Sequence, residues 1–144
     1  MARGDVVLFE EFAKTIGDGS HDLDNDTFKV MLVSDTSILA STATPDSADF
    51  TEVTGGTSYT AGGATVSVTW TEANGDAVFD ITTNPSWTQD ASGPTNIYYA
   101  IVYNSTHAGT NDAIAYVDMG GPVSLQDGDV SITWNAAGLF THSV

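Results

Sequence analysis

Two-residue alternation is the feature that most limits the folds open to this chain. Val66, Val68 and Trp70 are separated by Thr65, Ser67 and Thr69, and successive side chains of an extended strand point to opposite faces. Asn74-Gly75 follows, and both residues accept the positive φ that a two-residue hairpin turn demands. Residues 78–82 are then expected to return antiparallel. Val130, Ile132 and Trp134 repeat the alternation, and residues 139–144 read as a terminal strand. Residues 27–33 are rich in β-branched and apolar side chains and read as a buried strand. Residues 97–103 are almost continuously apolar and aromatic, as expected of a central strand covered on both faces. Residues 113–119 form another strand, which Gly120-Gly121-Pro122 is expected to break.

Two stretches depart from this pattern. Over residues 5–16, Val6, Phe9, Ala13 and Ile16 recur at helical spacing, Leu8 and Phe12 widen the stripe, and Asp5 is placed to cap it. Glu10 and Lys14 are four apart on its polar side, and Gly17 is a plausible stop. A helix this short must pack on something to persist. Residues 34–63, rich in Ser, Thr, Asp, Gly and Ala, read as a long loop with short strands near Ile38-Leu39 and Glu52-Val53. The expected architecture is therefore mainly β: an antiparallel β-sandwich or jelly-roll-like fold with one short N-terminal helix, forming a single domain over residues 1–144.

Nothing in the composition opposes a packed domain. The chain has 144 residues, 41% hydrophobic, which suffices for a core without staples. There is no cysteine, so neither disulfides nor thiol chemistry enter. Charge is the outlying property: 19 acidic residues face three basic ones, for a net charge of -16. Such a surface repels phosphate backbones and excludes direct nucleic-acid binding from the expectations. It also acts as a solubility device or as a means of docking to a basic partner. No apolar run is long enough to span a membrane, and the first residues are not expected to form a secretory signal.

The search for chemistry yields few candidates. Asp22, Asp24 and Asp26 alternate like the oxygen ligands of a calcium loop. Thr27 and Val33, however, stand where an EF-hand needs its glycine and its bidentate glutamate, so only a looser calcium site could use them; otherwise they are a polar turn bonding local amides. His21, His107 and His142 are far apart in sequence, lack a zinc-binding motif and read as loop or solvent residues. No nucleophile elbow or phosphate loop occurs, and acidic residues are too numerous for a carboxylate pair to signal a glycosidase. No catalytic residue and no cofactor are expected. Asn25-Asp26-Thr27 and Asn104-Ser105-Thr106 match the glycosylation pattern as chance occurrences. Trp70 and Trp134 alternate with aliphatic residues and read as core. Trp87, in a Pro/Ser/Thr loop, reads as an exposed or interface aromatic. Phe9, Phe12, Ile16 and Trp87 are the interface candidates.

The order of several segments resembles small β-sandwich virion proteins of tailed bacteriophages. The resemblance is carried by Leu8-Phe9-Glu10-Glu11-Phe12, by His21-Asp22-Leu23 leading into Asp26-Thr27-Phe28-Lys29-Val30-Met31-Leu32, and by Tyr59-Thr60-Ala61-Gly62-Gly63-Ala64-Thr65-Val66. Tyr98-Tyr99-Ala100-Ile101-Val102-Tyr103-Asn104 and Gly138-Leu139-Phe140-Thr141 complete it. It covers nearly the whole chain. It implies a structural protein, foremost a head decoration or cement protein that assembles in the host cytoplasm and braces the head from outside. Its implied partner is the major capsid protein and its implied state a homo-oligomer, with a trimer favoured. The N-terminal helix is then the expected anchor, removable without unfolding the β domain. The alternative is a tail- or fibre-associated module that recognises a host surface glycan through residues 85–93 and 104–111.

Overall fold

The computed structural model describes residues 2–107, 109 and 111–144. Ten strands and one short helix follow in the order β1 (Val6–Leu8), α1 (Phe12–Thr15), β2 (Phe28–Val33), β3 (Ala64–Val66), β4 (Val68–Ala73), β5 (Asp76–Ile81), β6 (Ser86–Trp87), β7 (Ile97–Asn104), β8 (Ala113–Val123), β9 (Val130–Ser131) and β10 (Phe140–Ser143). A 3-10 turn, Ser47–Asp49, lies between β2 and β3. Every strand pairing is antiparallel. The order is β1-β8-β7-β2-β3 in the main sheet, β10-β5-β4 in a second sheet and β6-β9 in a two-stranded ribbon. The expected mainly-β sandwich is the fold observed.

The main sheet buries both faces, and the pleat of β2 shows how. Phe28, Val30 and Leu32 enter the larger core with Phe79 and Ile81 of β5, Trp87 of β6 and Val130 of β9. Met31 and Val33 point the opposite way, into a second core with Phe9, Ile101, Tyr103 and Tyr116. Ile38, Ala40 and Phe50 cover that second face. Val53 and Tyr59 enter the larger core, so residues 34–63 pack against the main sheet and are not a free loop. Neither Ile38-Leu39 nor Glu52-Val53 forms a full strand; Glu52 makes one isolated bridge to Val33. Strands covered on both sides lose their hydrophobic alternation, which is why β2 and β7 read as unbroken apolar runs.

The hairpin between β4 and β5 turns at Asn74 and Gly75, with φ of 58° and 89°, the pair of positive values that a type I′ turn needs. β3 and β4 are consecutive, separated only by Ser67, yet belong to different sheets. The chain thus bends at Ser67 and carries one extended segment across the sandwich, the corner by which such folds pass between layers. This corner closes one side. On the other side the edge strands β1 and β10 are not hydrogen-bonded to each other. There, Phe12 of α1 packs edge-on against Phe140 of β10, with ring centroids 5.3 Å apart.

Several expectations give way. Residues 6–8 are a strand paired with β8, Val6 opposite Val117 and Leu8 opposite Ala115, and the helix is confined to Phe12–Thr15. The helical spacing of Val6, Phe9 and Ile16 is thus accidental, and the alternation Val6, Leu8 against Val7, Phe9 is the one the fold uses. Asp5 caps no helix; its carboxylate accepts the Ala2 amide at 2.7 Å. Lys14 bonds Asp18 at 3.0 Å, not Glu10. Gly120-Gly121-Pro122 does not end β8, because residues 119–122 are accommodated opposite Tyr98 by a register shift between Ile97 and Tyr99. The strand expected around Ile132 and Trp134 stops at Ser131. Part of the turn expected over residues 104–111 lies outside the described residues.

Residues 1–16 therefore cannot be a detachable anchor. They supply an edge strand together with Phe9 and Phe12, which are 1% and 3% exposed. Truncating a buried Phe costs about 3–5 kcal/mol, so losing two consumes most of the roughly 5–15 kcal/mol that holds a small domain together. Deletion of residues 1–16 should abolish the cooperative urea transition followed by circular dichroism; a truncated chain that kept its midpoint would contradict this packing.

Candidate functional site

The carboxylates are the most abundant reactive groups, and the fold commits many of them to main-chain amides. Asp90 is the clearest case. Its Oδ2 accepts the amides of Thr57 at 2.6 Å and Ser58 at 3.0 Å, and its Oδ1 accepts that of Ser92 at 2.9 Å. These bonds hold its carboxyl down at about 2. They tie the covering segment to the loop before β7. Gly56 must be glycine beside it, since a side chain there would strike the Asp90 carboxylate.

Asp112 does the same from the start of β8. It is buried, and its carboxylate receives the Ser47 amide and, at 2.7 Å, the Ser47 hydroxyl. Burial pushes its pKa up, while the Ser47 bonds oppose the shift. Glu52 Oε1 accepts the Tyr59 hydroxyl at 2.7 Å and the Gly62 amide at 2.6 Å. The Tyr59 oxygen in turn accepts the Leu32 amide at 3.1 Å, and the Tyr103 hydroxyl donates to the Gly62 carbonyl at 2.7 Å. Burial first, then the Glu52 carboxylate, raises the Tyr59 pKa far above the usual phenol range. These three knots fasten residues 46–62 to the main sheet, and Val53 and Tyr59 of that segment enter the larger core.

Asp22, Asp24 and Asp26 are not brought together as a ligand cage. Asp22 Oδ1 accepts the Asp24 and Asn25 amides, both at 3.1 Å. Asp26 Oδ2 accepts the Asp22 amide at 2.9 Å and Asn104 Nδ2 at 2.6 Å. This is the polar turn bonding its own backbone, and among the described residues no group of three or more acidic, histidine or cysteine side chains is disposed to hold a metal ion.

His21 departs from the expectation of a loop or solvent residue. It is 5% exposed, flanked by a tilted Phe12 ring at 5.4 Å and an edge-on His107 ring at 5.6 Å. Its Nδ1 lies 3.1 Å from the Asn104 amide nitrogen, while Nε2 has no side-chain hydrogen-bond partner among the described residues. Burial lowers its pKa and the neighbouring His107 adds to that, with Asp26 opposing, so the neutral ring is favoured. Asn104, fully buried at the end of β7, also accepts the Thr106 and His107 amides at 3.0 and 3.1 Å. The cluster seats the residues after β7 against the Asp22 turn. His142 is exposed on β10.

Three of the four interface candidates are used internally. Phe9 and Phe12 belong to the two cores, and Trp87 is 5% exposed in the larger one, with Tyr59 at 5.9 Å. The pairing of β6 with β9 turns Trp87 inward, a long-range contact that its loop-like sequence does not betray. Ile16 is half-buried against the same core. Trp70 and Trp134 pack on the core only in part. Trp134 is held by its indole N–H, which donates to the Thr83 carbonyl at 2.9 Å.

Periodicity gives no sign of a groove of about 580 Å³ at the open side of the sandwich. Arg3, Asp5 and Val6 line one side, Met119 of β8 the inner wall beside Asp118 at the rim, and Trp134 and Leu139 the opposite side. Its size falls within the range of small-molecule sites. No protein-family model matches this chain, and no curated protein or solved structure is significantly similar to it.

Two outcomes follow from the carboxylate geometry. Tyr59→Phe leaves the buried Leu32 amide and one Glu52 oxygen short of a partner, and should cost about 1–3 kcal/mol in urea denaturation. Asp90 has a depressed pKa in the folded state, so its stabilisation is complete above its unfolded value of 3.8 and vanishes as pH falls through about 2. The stability difference between wild type and Asp90→Asn should therefore be largest at neutral pH and shrink across that acid window. A difference independent of pH would show that the Asp90 charge contributes nothing.

Proposed function

We propose that this chain is a structural protein of a tailed-phage virion, foremost a head decoration protein that binds the outer surface of the capsid as a symmetric oligomer, with a trimer favoured. The observation that carries this reading is the use made of the acidic side chains. Asp22, Asp26, Glu52, Asp90 and Asp112 are bonded to amides and hydroxyls that lock loops onto the sandwich. Polar groups spent this way give a rigid block with a fixed surface, which suits a building element better than a reaction centre.

The net charge of -16 adds a direction. A surface of this sign is repelled by packaged DNA and is compatible with the exterior of the shell, where a basic patch on the lattice would attract it. The interface has to be sought among side chains other than Phe9, Phe12 and Trp87, which the fold itself consumes. For the same reason the glycan-binding alternative cannot use Trp87 as a stacking platform.

Cryo-electron microscopy of purified particles tests the proposal. Trimeric density that fits this sandwich on the outer face of the head is the expected result. Density at the tail would transfer the protein to the tail-associated reading, and its absence from the particle would overturn a virion role.

A further inference from the structure

The groove at the open side of the sandwich has the features of an unfilled strand position. Hydrogen bonds from the Asp118 amide to the Asp5 carbonyl (3.2 Å) and from the Phe9 amide to the Ile114 carbonyl (3.1 Å) fix the phase of the β1–β8 ladder. Paired and outward-facing residues alternate along an antiparallel strand, so the main-chain groups of Val6 and Leu8 turn away from β8 toward the free edge. No strand pairs with that edge among the described residues.

The side chains point to the same vacancy. Val6 lies opposite Val117, so both project from the same face of the sheet, and Val117 belongs to the larger core. Val117 is 3% exposed, whereas Val6 is 38% exposed and is one of the few large apolar residues left open. Leu8, two residues on, is packed against that core. The opposing layer covers Leu8 but stops short of Val6. The contact of Phe12 with Phe140 closes one end of the seam, and the groove is what remains of it. Its inner wall includes the core residues Met119 and Ile132, and its rim carries Asp5 and Asp118.

We infer that this groove receives an extended segment of a partner protein, alternately apolar and basic, which adds as a strand to the free edge of β1. The apolar side chains cover Val6, Met119 and Ile132, and the intervening Lys or Arg side chains face the acidic rim and the surrounding negative field. Main-chain pairing supplies affinity and the alternation supplies selectivity, as in other strand-addition complexes. Arg3 does not reverse the sign of the site, since two carboxylates, Asp5 and Asp118, line the groove with it on a chain of net charge -16. This inference concerns how a partner is gripped and holds wherever in a particle, or outside one, the protein works.

The test uses the full chain labelled with nitrogen-15 and three probes: a nonapeptide of alternating Lys and Val, the same peptide with Glu for Lys, and chitohexaose. The Lys/Val peptide should shift the amides of Val6, Leu8, Val117 and Met119, slow hydrogen exchange at Val6 and Leu8, and bind more weakly as salt is added. Ser131→Trp, which fills the groove from β9 without touching the β1 ladder, and Val6→Pro, which removes an edge donor, should each weaken binding by roughly tenfold or more. Both variants are first checked for the wild-type spectrum outside the groove. The inference is overturned if no shift appears at about 1 mM peptide, the weak end of specific recognition. It is equally overturned if the Glu peptide binds as well, if a folded Ser131→Trp variant binds unchanged, or if the oligosaccharide alone occupies the groove. None of these outcomes bears on where the protein sits in a virion, which imaging decides separately.

Discussion

Burial of the main sheet on both faces is the constraint from which most of this structure follows. A central strand such as β7, with Ile97, Ala100, Ile101 and Val102 all fully buried, needs cover above and below. The second sheet and the β6-β9 ribbon supply one cover. The other must come from a segment with little regular structure of its own, residues 34–63. That segment gives Ile38, Ala40 and Phe50 to this face and Val53 and Tyr59 to the larger core, and polar contacts fasten it further. This explains why buried or half-buried acidic groups cluster there. Asp112 and Glu52 give up hydration, and the Ser47, Tyr59 and Gly62 donors replace it.

Backbone geometry is fitted to the same need. Gly63 has φ of +73°, and a side chain on it would run into the Val30 carbonyl of β2. Only glycine lets the covering segment pass that close to the sheet before it enters β3. Tyr103, on the second-core face of β7, reaches over to the neighbouring Gly62 carbonyl, so the strand that most needs cover also holds it in place. Polar fastening and glycine contact act together, and the acidity of the chain is in part a product of how its sheet is covered.

The strands of the sandwich could be read from sequence wherever one principle acted alone. Alternation together with Asn74-Gly75 located the β4–β5 hairpin, and the apolar runs located β2 and β7. Reading failed where two periodicities overlapped. Val6, Leu8, Phe9 and Phe12 satisfy both a helical stripe and a strand followed by a turn, and only the availability of the β8 edge decides between them. It failed also where the determining contact is remote in sequence. Trp87 is placed inside by β9, more than forty residues later in the chain, and His21 by Asn104 at the end of β7. The groove is a property of what two edge strands leave unfilled, so no single segment encodes it.

The corner at Ser67 has a mechanical consequence. One continuous extended segment joins the two layers on that side, and a covalent backbone there cannot open without bending. On the far side the layers meet through side chains, with Phe12 against Phe140. The sandwich is in this respect a book with a bound spine and a fore-edge closed by side-chain packing, Leu8, Ile16, Leu139 and Phe140 all lying against the shared core. A load that draws β1 away from β10 meets side-chain packing there and, among the described residues, no main-chain ladder between the two strands.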